Sequence, residues 1–530
     1  MKTKKIVASV VIVSMTIVFN AVNAEQKADG HHPPIKCETP LILEEFLSGA
    51  RKIAPRNDNF DTSVLSSLKH FRVHYDTTLY NAPDMTDSDE NGIPDYVDST
   101  LVYLEYAWDL EINRLGYREP MGDDGEGGGD EIDVYIKEYG SGGYGATYPT
   151  NIIGATSSGY IYIDNNYSES QYASKGYAGL QVTTAHEFFH VVQFGYLMDL
   201  HRLLWWMEQS AVWMEERAWD DVNDYLAYVD YFFSDKNSSL DSSAGYYMYG
   251  AGIWAIFLSK RYGDDTIRDL WTYIGETKLP DIEIFEEVLP LGLPAAFNEF
   301  AVWNYFTDDR ANTTDFYPDG DNFHYSNDIV DVSYFAPPVD SLVTNHLTSR
   351  YVELIFVTDW TGNEALNVQL LPRDNALYEN SVVFFNSPND YRIHALNPEG
   401  GTIPLGKPWD RAVIVTSCTN TDGGNYRYAY MIDTTVNTDK IPLYAFDLHG
   451  AFPNPFNPTT TIRFNLPGSG NVSVNVFNVQ GQKVAGLYDG YLEAGEKNIL
   501  WNPGNAAGGI YFVTVKTPYE TKTSKMLFLK

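Results

Sequence analysis

Two histidines four residues apart carry the first chemistry in this sequence. His186-Glu187-Phe188-Phe189-His190 lies within a mostly apolar stretch, Gln181 to Tyr196. On an α-helix, residues four apart share one face, so both imidazoles can reach a single ion. Glu187 stands beside that face, where it can take a proton from water. Val182, Ala185, Phe189 and Val192 fall on or near one stripe, and Gly195 offers a stop, so the spacing predicts a helix. A catalytic zinc site needs a third protein ligand and one open position. Glu208 supplies a candidate within Trp206-Met207-Glu208-Gln209-Ser210-Ala211-Val212-Trp213-Met214-Glu215, on what reads as the next helix. A turn around Leu197 to Arg202 would bring that helix back against the first. Glu215, seven residues on, returns to the face of Glu208. It is either a carboxylate that orients a ligand or a solvated surface group.

A second oxygen-rich pattern lies upstream. Asp87, Asp89, Asn91, Gly92, Ile93, Asp95 and Asp98 occupy positions 1, 3, 5, 6, 7, 9 and 12 of a calcium loop. The glycine permits the sharp turn, and hard oxygens suit calcium. Asp98 is shorter than the glutamate usual at the last position. The ion would be structural, tethering the loop to the helix that follows. Gly122 to Glu131 is a weaker candidate through Asp123, Asp124, Glu126 and Asp130, and reads chiefly as a solvated loop.

Around these sites the chain must supply elements and compartments. Its 530 residues carry a formal charge of −35, which argues against nucleic acid and anionic membranes as partners. Hydrophobic residues at 44% and aromatics at 15% exclude general disorder. Lys2, Lys4 and Lys5 precede an apolar run, Ile6 to Phe19, and Val22-Asn23-Ala24 is a cleavage site, so 1–24 reads as a signal peptide. No later stretch approaches the ~20 apolar residues of a membrane span. Residues 25–69 form an N-terminal segment, a pro-segment or an embrace of the next domain. Residues 70–330 alternate helices and strands, including a helix over Tyr96–Leu115 and strands near 70–75, 132–136 and 160–165. If Ile132–Ile136 is the sheet edge, an extended peptide could pair with it. Residues 331–440 read as a β-sandwich, with a linker at 437–441, and 441–530 as a second β-rich module. Cys37 and Cys418 could pair, or Cys37 could act as a thiol switch on the metal.

The motifs resemble a known group. His186 to His190, followed by the Trp206–Glu215 run, is similar to the gluzincin metallopeptidases, in spacing to their aminopeptidase-N-like branch. Phe71-Arg72-Val73-His74-Tyr75-Asp76 and the Asp87–Val97 run extend the likeness to secreted bacterial metallopeptidases of the MXAN_6640 type, over roughly 70–305. Gln209 departs from the glycine of many relatives. The resemblance implies an α+β zincin-like domain followed by two all-β sandwiches. It implies His186, His190 and Glu208 as zinc ligands and Glu187 as general base acting on a zinc-activated water. Tyr247-Met248-Tyr249-Gly250 resembles the tyrosine-bearing helix start of gluzincins, so Tyr249, or else Tyr247, is the expected oxyanion donor.

Asn454-Pro455-Phe456-Asn457-Pro458-Thr459-Thr460-Thr461-Ile462-Arg463-Phe464, with Gly509-Ile510-Tyr511-Phe512 and the Lys525–Lys530 end, resembles the type A sorting domain of the type IX secretion system. That implies signal-peptide export to the periplasm, then crossing of the outer membrane by the type IX machinery to a secreted or surface location. The expectation is a secreted zinc endopeptidase acting on protein or peptide substrates, with calcium as a second ion. Two alternatives stand beside it. One is a surface adhesion protein with a vestigial zincin domain, against which an intact Glu187 argues. The other is a zinc aminopeptidase, for which no glycine-x-methionine-glutamate-asparagine anchor is found.

Overall fold

The computed structural model describes residues 36–49, 59–139, 143–170, 172–323, 330–331, 339–355, 364–398, 400–435, 447–466, 470–492, 495–504, 506–517 and 521–530. The signal-peptide run, the segment before Lys36 and the 437–441 linker lie outside the described residues. The chain forms two compact units, one reaching Leu293 and taking in Thr307–Asp309 and Thr313–Tyr325, the other holding the remainder to Lys530.

The first unit is built on a five-stranded sheet. Its strands are β1 (Thr62–Leu65), β2 (Phe71–Tyr75), β3 (Ile132–Lys137), β4 (Gly145–Ile153) and β5 (Thr156–Asp164), in the order β1-β2-β3-β5-β4. β2, β3 and β5 run parallel, while β1 and β4 are antiparallel to their neighbours. The condition that β3 be the sheet edge is not met: β3 is the central strand, and the edges are β1 and β4. The alternation in Ile132-Asp133-Val134-Tyr135-Ile136 imitates a half-exposed strand, yet all five residues are buried. Asp133 tolerates burial because His74 Nε2 lies 2.7 Å from its Oδ1.

The two faces of the sheet differ, as the period of two dictates. Phe71, Val73, Val134, Ile136, Ile161 and Ile163 are fully buried. Phe71 meets Phe188 edge-on at 5.1 Å, which seats α3 (Tyr177–Phe194) on that face. The opposite face is a tyrosine layer of Tyr135, Tyr160 and Tyr162, covered by Phe60, Tyr139 and Tyr148.

Two further helices lie before α3. α1 (Thr39–Leu47) opens the described chain. α2 (Asp95–Trp108) starts after Pro94, with Asp95 and Asp98 in its first turn where the helix dipole favours them. The predicted α-helix to Leu115 gives way to a π-helix over Asp109–Arg114, in which Glu111 is fully buried. α3 is buried on every side from Val182 to Phe194, its polar residues His186, Glu187, His190 and Gln193 included. Gly195 keeps a right-handed φ of −67°, so α3 does not end on a left-handed glycine. Instead the Gln193 carbonyl accepts from Tyr196 and Leu197 N–H, turning the chain toward α4 (Leu204–Ala218).

The second unit begins within a helix, Gly292–Tyr305. Its Asn298 donates to Glu379 O and Ser417 Oγ, both at 3.1 Å. Between Val330 and Thr435, sheets of five and four strands close on one core, with Val352, Phe384 and Ile414 from one and Val368, Leu370 and Tyr430 from the other. From Asp447 to Phe528, sheets of three and four strands share a core that includes Phe464, Val474, Trp501 and Val513.

Candidate metal centre

α3 and α4 carry the chemistry and pin each other. Gln193 Nε2 donates to Met207 O (3.0 Å) and to Ser210 Oγ (3.2 Å), so its amide bridges the two helices. Its Oε1 lies 2.7 Å from His190 Nδ1, which leaves Nε2 as the free nitrogen of that ring. Glu215 does the same for His186, with Oε1 2.6 Å from Nδ1. Both imidazoles thus present Nε2 to one point. Glu208 meets them there, with Oε2 3.3 Å from His186 Nε2 and Oε1 3.1 Å from His190 Nε2.

Cys37 joins this group. Its Sγ lies 3.4 Å from His190 Nε2, and the donor atoms of Cys37, His186, His190 and Glu208 all lie within 4.8 Å of one another. All four residues are buried. His186 Nε2 and both oxygens of Glu208 have no hydrogen-bond partner, despite their mutual proximity. Buried polar atoms left unpaired are costly, and a shared ion is what these would satisfy. The set of nitrogen, carboxylate oxygen and sulfur donors suits zinc.

The electrostatics agree. Burial works against a charged His186, yet hydrogen bonds and charge from Glu208 and Glu215 outweigh it and raise its pKa to about 10. Burial also works against a charged Glu208, but His190 and His186 hold its pKa down to about 2. Both shifts express the attraction between the imidazoles and the carboxylates packed against them.

Glu187 points to the neighbouring edge of the sheet. Thr147 Oγ1 on β4 lies 2.7 Å from Glu187 Oε2, while Oε1 has no partner. β4 approaches this closely only because residue 145 is glycine. A Cβ there would stand 2.9 Å from Tyr162 O and 3.0 Å from Glu187 Cγ.

The two candidate tyrosines part company. The Tyr249 hydroxyl donates to Cys37 O (3.1 Å) and accepts from Cys37 N–H (3.3 Å), which sets it beside the cluster. Burial, then the Glu208 charge, pushes its pKa well above the usual range. Tyr247 instead donates to Ser238 O at 2.9 Å and answers to Asp235 and Asp241, so it is not brought to the site. Gln209, the departure noted above, donates to Leu240 O and serves packing.

At the acidic loop, carboxylates of Asp87, Asp89 and Asp95 converge. Asp98 accepts from Asn91 Nδ2 at 2.7 Å, and Ile93 N–H donates to Asn91 Oδ1. Gly92 adopts φ +88°, the turn that glycine alone takes without strain. The second loop is held by hydrogen bonds to β4. Asp124 accepts from Asn151 Nδ2 (2.8 Å) and Glu126 from Thr150 Oγ1 (3.2 Å), tying it to the end of β4.

Sequence reasoning missed Thr147, Gln193, Lys36 and Asp224. Both cysteines are free and buried, one in each unit.

Comparison with known proteins decides the other end of the chain. Residues 450–529 match the secretion system C-terminal sorting domain. The sorting domain makes this a secreted or cell-surface protein and a client of the type IX machinery. Among the described residues, no helix is long and apolar enough to cross a membrane. No metallopeptidase family matches the chain, and no curated protein does. Solved structures give slight likenesses. A glycoside hydrolase domain, Endo-D from Streptococcus pneumoniae R6, is 12% identical over 35% of this chain and 32% of that one, with a TM-score of 0.16. A beta-1,2-glucanase from Parabacteroides distasonis is 12% identical over 34% and 31%, with a TM-score of 0.14. The adhesin domain of Epf from Streptococcus pyogenes is 9% identical over 36% and 79%, with a TM-score of 0.14. The chain thus spans about a third of the first two. Scores this low support neither a fold nor an activity.

Proposed function

We propose that this protein is a secreted zinc metallopeptidase that cleaves protein or peptide substrates internally. The observation that carries the reading is the buried convergence of His186 Nε2, His190 Nε2 and the Glu208 carboxylate beside Glu187, with His186 Nε2 and both Glu208 oxygens lacking a hydrogen-bond partner. A zinc ion bound by those residues would polarise the scissile carbonyl and acidify water. Glu187, held by Thr147, would take the water proton and pass it to the leaving amine. Tyr249 would donate to the developing oxyanion. β4 offers main-chain groups to an extended peptide, which favours substrates in strand conformation. An antiparallel edge strand over an HExxH helix also supports the zincin-like fold that the motifs imply. Calcium at the Asp87–Asp98 loop belongs to the same reading, as a structural ion.

The test is zinc content and hydrolysis of an unfolded protein by the full chain, beside Glu187→Gln. The expected result is stoichiometric zinc in both, with slow cleavage by the parent and none by the variant. Failure to bind zinc in the folded parent would sink the proposal.

A further inference from the structure

The N-terminal segment runs into the candidate metal centre along β4. Tyr144 N–H donates to Lys36 O and Glu38 N–H to Gly145 O, both at 3.2 Å, and Cys37 bridges Gly145 in parallel sense. Residues 36–39 therefore occupy the main-chain groups that an added strand would use.

Their side chains fasten them there. Lys36 Nζ is buried against Asp224 and lies 2.8 Å from Glu215 Oε2. It sits over the rings of Tyr144 (5.3 Å) and Tyr228 (5.1 Å). Thr39 Oγ1 lies 3.3 Å from Glu187 Oε2 and accepts from Thr147 N–H at 2.8 Å. Tyr249 brackets the backbone of Cys37 on both its N–H and its C=O. Glu187, Tyr249 and His190 are thus all engaged by this segment. The thiol, meanwhile, stands among the atoms of His186 and Glu208 that lack a hydrogen-bond partner.

We propose that Cys37 is a fourth protein ligand of the metal centre, and that residues 36–39 are an internal plug that keeps the cleft latent until they are withdrawn. The inference rests on the metal reading above. On ligation the thiol loses its proton to solvent and binds as thiolate. A site with four protein ligands is closed, whereas a hydrolytic site keeps one position open. Withdrawal of the segment opens that position, frees Glu187 and Tyr249, and bares β4 in one step.

The test uses the full chain with cobalt(II) in place of zinc. A thiolate-to-cobalt charge-transfer absorption is expected in the parent and in Cys418→Ser, and is lost in Cys37→Ser. In parallel, alkylation of Cys37 by iodoacetamide is mapped by mass spectrometry. It should slow by about tenfold or more when zinc is bound, because ligation removes the free thiolate. Lys36→Met keeps the side-chain length but removes its charge, and should speed that alkylation and raise hydrolysis. Should Cys37→Ser not fold, the parent's alkylation rates with and without zinc decide the matter. Cobalt bound without a sulfur band, or alkylation indifferent to zinc, would overturn the plug and leave the metal centre standing. Neither ion bound to the folded chain would overturn both.

Discussion

Glu215 Oε1 lies 2.6 Å from Nδ1 of His186, both buried. The carboxylate fixes the ring so that Nε2 faces Glu208, and it makes that nitrogen a stronger donor. Glu215→Gln keeps the shape and removes the charge. It should lower zinc affinity about 10–100-fold, the usual cost of losing such a partner. Competition with a chelator measures this directly. Unchanged affinity would mean that Glu215 serves only Lys36.

The next residue gives a pH test. Glu216 is mostly buried, and its Oε1 has no partner. Burial, then the nearby Glu215, Asp319 and Asp220 carboxylates, raise its pKa to about 9, with Lys36 opposing. A raised carboxyl is protonated in the folded state but ionised in the unfolded chain above about pH 4.3. The folded state therefore binds the extra proton, and this group costs more stability as pH rises from about 4 to 9. Glu216→Gln removes the penalty, on the order of 3–4 kcal/mol at neutral pH. Melting temperatures should diverge between parent and variant as pH goes from 5 to 8. A gap equal at both would contradict the assignment.

Why some of this was readable and some was not follows from particular residues. The helix bearing His186 and His190 announces itself, because its ligands repeat at the helical period within an apolar run. Glu208 follows on a second such run. β4 hides because Gly143, Gly145 and Pro149 give its sequence a loop composition, although glycine is what lets the strand approach Glu187. β3 misled because Asp133 imitates an exposed position, while His74 offsets its burial from β2, adjacent in the sheet but 59 residues away in the chain. Cys37 meets His190 across 153 residues, a contact that no local pattern encodes. The sorting domain is the reverse case, written almost entirely in its turn and strand signatures.

Gly145 yields the third prediction. A methyl group there would strike Tyr162 O and Thr183 Cγ2 at 2.9 Å. β4 must then shift away from α3 and carry Thr147 off Glu187. Gly145→Ala should lower hydrolysis about 100-fold, as misplacement near 1 Å can do. It should also cost about 1–3 kcal/mol of stability through overpacking. A variant that keeps full activity would show that the spacing between β4 and Glu187 is not catalytic.

Calcium is the fourth. Asp87, Asp89 and Asp95 repel one another without a cation, although each also accepts hydrogen bonds within the loop. Calcium at about 100 times its dissociation constant should stabilise the folded chain by about 2.7 kcal/mol. That raises the melting temperature of a large unit by several degrees, and Asp89→Asn should shrink the rise. A parent whose melting ignores both calcium and chelator would remove the ion from the loop.

The two tyrosines supply the last. Tyr249 reaches the Cys37 backbone beside the metal ligands, whereas Tyr247 spends its hydroxyl on Ser238 O. On the proposed reading, withdrawal of residues 36–39 would turn the Tyr249 hydroxyl, now on the Cys37 backbone, over to a substrate carbonyl. A donor that bonds the oxyanion more strongly than the ground-state carbonyl accelerates the reaction, and losing one costs about 10²–10³ in kcat. Tyr249→Phe should show that loss with KM nearly unchanged, because the interaction forms in the transition state. Tyr247→Phe should leave kcat within about threefold and act on stability through a buried hydrogen bond, worth about 1 kcal/mol. If the two effects came out reversed, the oxyanion donor would be Tyr247, and the helix that carries both would have to turn when the N-terminal segment leaves.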